Sequence, residues 1–593
     1  MLKYRHGLLL FIYLVFLLNF LGFSSALFAS EKPVISINIQ GTPPEIQNNL
    51  INSLSLSALK TQADIQNKVH LELLYQRSTQ QIQTVLKSMG YYKAVINSHL
   101  DFDAKKQTWT ANYWITLGDP LRIHTIQFLI NGEGQYDPVL TKLYRQSDLH
   151  PGKILNQNNY EKFKTNLLDQ AVALGFFDAE ISEHQIRINL SKNQADILFT
   201  LETGPRYHFG KTVFTQSGYA FEQKFLTRYL PYVIGQPYQM GLVNTLQSHL
   251  GNTEYFSNVA VTPTPDKKTH TVDMRVDTTT QKRVKYTLGL GYGTETGPRI
   301  TLGSDIRYVN ARGDYLTLAV QASKIYQEVI VSYVIPGKNP VTDYTSLNAG
   351  ESYTNITPYS ATTTLAGLDW GTVRGSWTRT VGIHENWIHY DTPVSTTDRA
   401  AYLLPTAELY YQKQIPGGFF TNGFNADITT TGTVKSFFSQ STFIKSVLTG
   451  RYAVGITSGT RVFFRGQAGA IGTHSITDLS PTLRFYTGGI GSVRGYTYSS
   501  LSPENDQDQL MGGRYLAVGS VNFEQRIYGK LSGLIFYDIG NSFDQIQSID
   551  WAKGAGFGLS YQSPVGPIQF YFSHPVNVPD SRWRVDFSVG ALI

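Results

Sequence analysis

Two imidazoles and a carboxylate crowd together in HENWIH (384–389), the raw material of a metal site. The spacing is wrong for one. It reads HExxxH, whereas HExxH sets both histidines on one helix face, and on a strand residues five apart point to opposite faces. His384 and His389 are therefore not expected to share a metal. GLGYG (289–293) and GAGFG (554–558) have the glycine content of phosphate loops, but no helix follows whose N-terminus would hold the anion. Glycine there reads as room for close packing or strand bending. No GxSxG motif and no nucleophile constellation is present, and the absence of cysteine removes thiolate chemistry. The expectation is a chain with no catalysis and no cofactor.

The remaining chemistry is electrostatic. Arg494 stands alone in the glycine-rich loop TGGIGSVRGYTYSS (487–500), with Gly488, Gly489, Val493, Gly495 and Tyr496 around it. Downstream, VNFEQRI (521–527) and LIFYDIG (534–540) alternate like strands. In that register Val521, Phe523, Ile527, Ile535, Tyr537 and Ile539 face lipid, while Asn522, Glu524, Arg526 and Asp538 face inward. Two carboxylates on neighbouring inner-wall strands make a target for a guanidinium. The loop is thus expected to fold into a lumen and place Arg494 on Glu524 and Asp538, its glycines allowing the sharp turns.

The elements that would position this pair follow from composition. The chain has 52 Gly, 37 Tyr and 32 Phe, yet only 16% charged residues. Beyond the start of the chain no run approaches the ~20 apolar residues of a membrane helix. From residue 283 onward, segments such as YTLGLGYG (286–293), RVFFRGQAGAIG (461–472) and RVDFSVGALI (584–593) alternate apolar with polar or Gly. Repeated two-residue alternation over spanning lengths is the mark of a transmembrane β-barrel, here of about 16 strands. Tight turns at 528–530 and 563–567 would face the periplasm, and the long 485–514 and 540–553 connections the outside. The first and last strands must meet to close the cylinder. Their glycines, Gly289, Gly291, Gly293 and Gly590, would make that lateral seam weak.

Residues 31–280 repeat a phrase of helix, aromatic break and strand: MGYYKA (89–94), LGFFDA (174–179) and TEYFSNV (253–259). A period of about 80 residues suits small α+β domains in series, at 31–119, 120–205 and 206–280, ahead of the barrel at 283–593. Ser78 to Gln81 resembles a capping box opening a helix with Ile82, Val85, Leu86 and Met89 on one face. Phe163, Leu167, Leu168 and Ala171 mark a second helix, and Leu242, Leu246 and Leu250 a third. Lys3 and Arg5 before the apolar run 8–23, with small residues after it, read as a secretory signal peptide over 1–30. A net charge of +6 is too scattered for a nucleic-acid surface.

GGIGSVRGY (488–496) resembles the lumen-loop motif of the Omp85 superfamily. FYDIG (536–540), with Phe536 and Gly540, is similar to the strand that this loop contacts in the family, and GAGFGLSYQSPVGPIQFYF (554–572) to its late-barrel signature. Three repeats and a length near 600 resemble the TamA-like branch, the outer-membrane subunits of translocation and assembly modules. The resemblance implies three POTRA-like domains and residence in the bacterial outer membrane with those domains in the periplasm. It also implies a TamB-like partner anchored in the inner membrane and docked on the POTRA region. Its clients would be unfolded outer-membrane proteins such as autotransporters, inserted or secreted through the seam into outer-membrane lipid. The rival expectation is a pore of the two-partner-secretion type that passes a substrate through the lumen.

Overall fold

The computed structural model describes residues 35–59, 68–103, 108–393, 395, 398–415, 422–564, 566–579 and 581–590. The export segment read at 1–30 and the final residues 591–593 lie outside the described residues. The chain divides into two compact units, one made mainly of residues up to 208 and one mainly of the remainder.

The first unit holds two small domains. In the first, β1 (Ile35–Gln40), β2 (Val95–Asp103) and β3 (Thr108–Thr116) form a sheet of order β1-β3-β2, with β1 parallel to β3. Helices α1 (Pro44–Ser53) and α2 (Lys68–Ser88) cover it. Ile82 and Leu86 are fully buried on α2, with Val85 and Met89 packed beside them. The capping-box reading is corrected here. Ser78 lies in the interior of α2, donating back to the Tyr75 carbonyl and accepting from the Tyr113 hydroxyl at 2.6 Å. Leu71, Leu74 and Tyr75 continue the apolar face upstream, so packing carries the helix through the local cap signal.

The second domain repeats the plan with β4 (Arg122–Asn131), α3 (Pro138–Gln146), α4 (Gln157–Ala173), β5 (Glu180–Asn189) and β6 (Gln194–Glu202), sheet order β4-β6-β5. Asp137 and Asn156 cap the two helices by accepting from the backbone N–H groups two and three residues on. Phe163, Leu167 and Ala171 of α4 are buried against Phe176 and Phe199. The glycine of each aromatic break ends a helix in the left-handed region, Gly90 at φ +94° and Gly175 at φ +97°.

In the second unit, β7 (His208–Ser217), α5 (Gln223–Leu226), α6 (Met240–Gly251), β8 (Phe256–Asp266) and β9 (Thr271–Thr280) make a third domain with sheet order β7-β9-β8. Val243, rather than Leu242, joins Leu246 and Leu250 on the buried face of α6. This domain is fastened to the periplasmic turns of the barrel. Arg228 donates to the Pro336 and Gly337 carbonyls at 3.1 and 2.7 Å, and Tyr255 to Gly313 at 2.6 Å. Glu254 accepts from Arg307 at 3.0 Å and Lys285 at 3.2 Å, and these two bonds hold its carboxyl below the usual range. Gly313, at φ +84°, lies under the Phe225 ring, where a Cβ would come within 2.1 Å of it.

The barrel is closed and antiparallel, each strand paired to the next. Its strands are β10 (Val284–Gly293), β11 (Gly297–Ile306), β12 (Tyr315–Ala322), β13 (Tyr326–Pro336), β14 (Asp343–Ile356), β15 (Tyr359–Arg374), β16 (Trp377–Asp391), β17 (Asp398–Ile415), β18 (Asn422–Thr433), β19 (Phe443–Thr457), β20 (Thr460–Thr473), β21 (Tyr515–Tyr528), β22 (Leu531–Phe543), β23 (Ala552–Ser563), β24 (Gly566–Pro575) and β25 (Arg584–Val589). Alternation sorts the faces. On β10, Tyr286, Leu288 and Leu290 are exposed outward; on β21 and β22, Val521, Phe523, Ile535 and Tyr537 are exposed while Asn522, Glu524 and Asp538 are buried within. Arg526 departs from this at the periplasmic end, where the ladder slips between Arg526 and Tyr528. The wall is uneven in height: β17 has 18 residues and β25 six.

The lumen loop and the seam

The connection from β20 to β21 runs inside the barrel, because its apolar residues are buried only there. Leu479, Leu483, Phe485 and Val493 pack with Tyr402, Phe443, Leu516 and Val518 of the wall. Half-buried cations hold its backbone: Lys445 donates to the Leu483 carbonyl at 2.8 Å, and Arg465 to Ile490 and Ser492 at 3.1 and 2.9 Å. Gly488, Gly489 and Gly495 all have φ near +100°, the left-handed region that favours glycine.

Arg494 is 4% exposed and faces Asp538, which is fully buried. Its Nε and Nη2 donate to the two carboxylate oxygens at 2.7 Å each, and its backbone N–H donates to Oδ2 at 3.0 Å. Nη2 also reaches Asn522 Oδ1 at 2.6 Å and Ser520 Oγ at 3.1 Å, and Ser520 donates to Asp538 at 2.6 Å. The guanidinium stacks 3.5 Å above the Phe536 ring, with Tyr571 on another side. A cation with this many donors satisfied is one that can be buried. Gly554 makes the room, since a Cβ there would lie 1.9 Å from the Arg494 carbonyl oxygen.

Glu524 is not a partner of Arg494, and that expectation is corrected. It faces the lumen but sits two residues beyond Asn522 toward the periplasm, directly across from Arg461 on β20. Arg461 Nε donates to it at 2.7 Å, so the nearer cation takes the carboxylate. Tyr496 donates to Asn577 at 2.9 Å. Gly540 does not meet the arginine; it abuts β21, where a Cβ would lie 2.7 Å from the Ala517 carbonyl. His384 faces Asp369 at 3.0 Å within the lumen, while His389 lies five residues on along the same strand, on the opposite face.

The seam differs from every other strand pair. Among the described residues, Tyr292–Val589 and Gly293–Ser588 are the pairs in register between β10 and β25, against ten pairs for β10–β11 and six for β24–β25. At Gly590, φ is +84° and the N–H turns to the Pro567 carbonyl at 3.1 Å. Side chains supply what the ladder lacks. The Thr294 hydroxyl accepts from the Phe587 N–H at 2.8 Å, beside a backbone bond from the Thr294 N–H to the Phe587 carbonyl at 3.0 Å. Glu295, in the β10–β11 turn, accepts from Arg584 of β25 at 3.1 Å and from the Ile490 N–H of the lumen loop at 3.1 Å. Arg584 also holds Asp586 at 3.0 Å and donates to Thr497 of the loop at 3.3 Å. Burial pushes the Glu295 carboxyl up to about 7; the Ile490 N–H and Arg584 oppose that rise, and Asp586 adds to it. Of the expected glycines, Gly289 has only ordinary contacts, whereas Gly291 lies against Val589 and Gly293 against Thr296.

Ser520, Arg465, Glu295 and Arg584 are the residues that sequence reasoning missed. Ser520 had a signal, since it shares the inward alternation of Asn522 and Glu524. The others depend on cross-strand register and on the path of the loop.

Three α+β domains ahead of a closed sixteen-strand barrel with an arginine loop in its lumen define an outer-membrane β-barrel with periplasmic POTRA domains. Residues 309–591 match the Omp85 superfamily domain, 36–117 the first POTRA domain of TamA, and 139–204 the POTRA family described as a surface antigen variable number repeat. The chain is a member of the Omp85 superfamily, with a first domain of TamA type. It is 22% identical over 451 residues to outer membrane protein assembly factor BamA of Nitratidesulfovibrio vulgaris, covering 72% of this chain and 56% of that relative. It is 27% identical over 137 residues to outer envelope protein 80, chloroplastic, of Arabidopsis thaliana, covering 21% and 17% of the two chains. The chain thus spans little more than half the length of the first relative and much less of the second. Among solved structures, BamA from Haemophilus ducreyi lacking POTRA domains 1–3 shares the fold, with a TM-score of 0.66 at 16% identity over 79% of this chain and 99% of that one.

Proposed function

We propose that this protein inserts or secretes client proteins at the outer membrane, receiving them on its POTRA domains and passing them through the β10–β25 seam. The observation that carries this reading is the seam itself, two residue pairs long among the described residues, in a barrel whose lumen holds its own loop. A strand edge left largely unpaired templates pairing with an incoming strand. Among the described residues β25 has six, short of the roughly 9–11 that cross a bilayer. The TamA-type first domain supports placement in a translocation and assembly module, with a TamB-like inner-membrane partner docking on the POTRA region. Autotransporters and other outer-membrane proteins are the proposed clients. The energy comes from client folding and lipid burial.

The test is a disulfide across the seam. The observed register puts Val589 opposite Tyr292, so Tyr292→Cys with Val589→Cys is the pair to oxidise in this otherwise cysteine-free chain. Oxidation should abolish client insertion and reduction restore it. Normal activity of the locked protein would move the path to the lumen, the pore reading.

A further inference from the structure

Arg299 projects into the lumen from β11, directly opposite Gly291 of β10. It is 7% exposed, and among the described residues it makes no ion pair. Its Nη2 instead crosses β10 and donates to the main-chain carbonyl of Val589, the final residue of β25, at 3.1 Å. The crossing depends on Gly291. A Cβ there would stand 2.9 Å from the Val589 oxygen and 3.3 Å from Arg299 Nε, closing the gap between them. On the lumen side, Arg299 borders a cavity of about 380 Å³ lined also by Glu295, Glu328, Gln321, Tyr326 and Ser588; neither carboxylate forms an ion pair with it in the closed barrel.

A buried guanidinium is normally held by a carboxylate, since an unpaired one is costly. Here the acceptor belongs to the strand that must leave if the seam opens. Once β25 departs, Arg299 loses the Val589 carbonyl and faces the free edge of β10, and the next strand to pair there supplies a carbonyl in its place. Every strand carries carbonyls, so the contact reads backbone rather than sequence. A chain-terminal carboxylate at the same place would make the stronger, charge-assisted bond.

We propose that Arg299 is a receptor for the end of whichever strand pairs with β10. In the closed barrel it holds the Val589 carbonyl, and during assembly it holds the terminal carbonyl or carboxylate of the client strand. This rests on the seam reading above, and its test separates the two.

Two measurements on the full-length protein in lipid nanodiscs decide it. The first follows the resting seam by nitroxide distances between labels at Leu290→Cys and Phe587→Cys. Arg299→Met and Gly291→Ala should both broaden the distances toward longer values. Arg299→Lys should fall between these and the unsubstituted protein, and Gly289→Ala, whose Cβ has room, should match it. An unchanged distribution in Arg299→Met overturns the clasp. The second measures binding of a dye-labelled peptide with the sequence of residues 582–589, so that its terminus falls at the Val589 carbonyl, as free acid and as amide. Arg299→Met should weaken the acid form by roughly tenfold, the scale of one lost hydrogen bond to a charged group, and the amide less. Equal peptide binding in Arg299→Met and the parent would show that Arg299 only pins its own last strand, and would overturn the receptor role. Folding of each variant is read by heat-modifiable gel mobility, and the lysine variant, which keeps the charge, covers the case in which methionine prevents folding. If Arg299 behaves as proposed while the disulfide-locked protein still inserts clients, the seam reading falls and the binding site stands.

Discussion

Arg494 meets Asp538 with two parallel N–H donors, 2.7 Å to each oxygen, and the Arg494 backbone N–H closes on the same carboxylate. The loop and the wall therefore share one buried charge pair rather than a set of loose contacts. Removing either partner leaves the other uncompensated, at a cost of about 3–5 kcal/mol. Arg494→Ala and Asp538→Asn should each lower the unfolding midpoint of the detergent-solubilised barrel. The double variant should be little worse than the worse single. Additive losses would show that the pair does not act as a unit.

Glu524 belongs to a separate pair with Arg461. Glu524→Gln should leave the loop seated and cost less than Asp538→Asn. Combined with Asp538→Asn, it should add to within about 0.5 kcal/mol, as for sites without shared partners. Strong coupling between the two in the same unfolding experiment would place Glu524 back in the arginine site.

Gly554 gives the Arg494 carbonyl its space, and alanine there would have to displace the loop. Overpacking of this kind costs about 1–3 kcal/mol. Gly519→Ala is the matched control: its nearest neighbour would be Ile539 at 3.8 Å, on the lipid side of β21. The unfolding midpoint should fall for Gly554→Ala and hold for Gly519→Ala.

Glu295 should make seam closure depend on pH. Seated, its carboxyl is raised to about 7, mainly by burial; released into water it returns toward the ordinary value of about 4.3. The seated form therefore binds the extra proton between those values. Closure is favoured as pH falls through 7 and disfavoured as pH rises to it, with no further change above. Arg584 and Asp586 of β25 and Tyr498 of the loop face it, and Arg299, Tyr326 and Glu328 line the same cavity. Nitroxide distances across the seam should shorten from pH 8 to pH 6, and Glu295→Gln should flatten that profile. An unaltered profile in Glu295→Gln would assign the titration elsewhere.

The barrel was legible because a two-residue period, repeated over sixteen strands, survives weak signals in any one. The same period placed Asp538 inward, and a glycine-rich loop with one arginine named its partner. What alternation leaves open is register. Nothing in the sequence says that Arg461 lies across from Glu524, or that Val589 lies across from Tyr292. Those pairings follow from strand lengths and shear summed around the cylinder. The Ser78 reading failed for a related reason, since a four-residue cap pattern is outweighed by a helix face that extends upstream of it.

The fastening of the third domain has a mechanical side. The links described from Arg228, Tyr255, Phe225 and Glu254 end on Pro336, Gly337, Gly313, Arg307 and Lys285, the periplasmic ends of β10–β14 and their turns. A pull on that domain is loaded onto the first strands of the barrel. The last strand, on the far lip of the seam, carries none of those links. Tension on the domain is thus borne unequally by the two lips of the joint that has two rungs among the described residues.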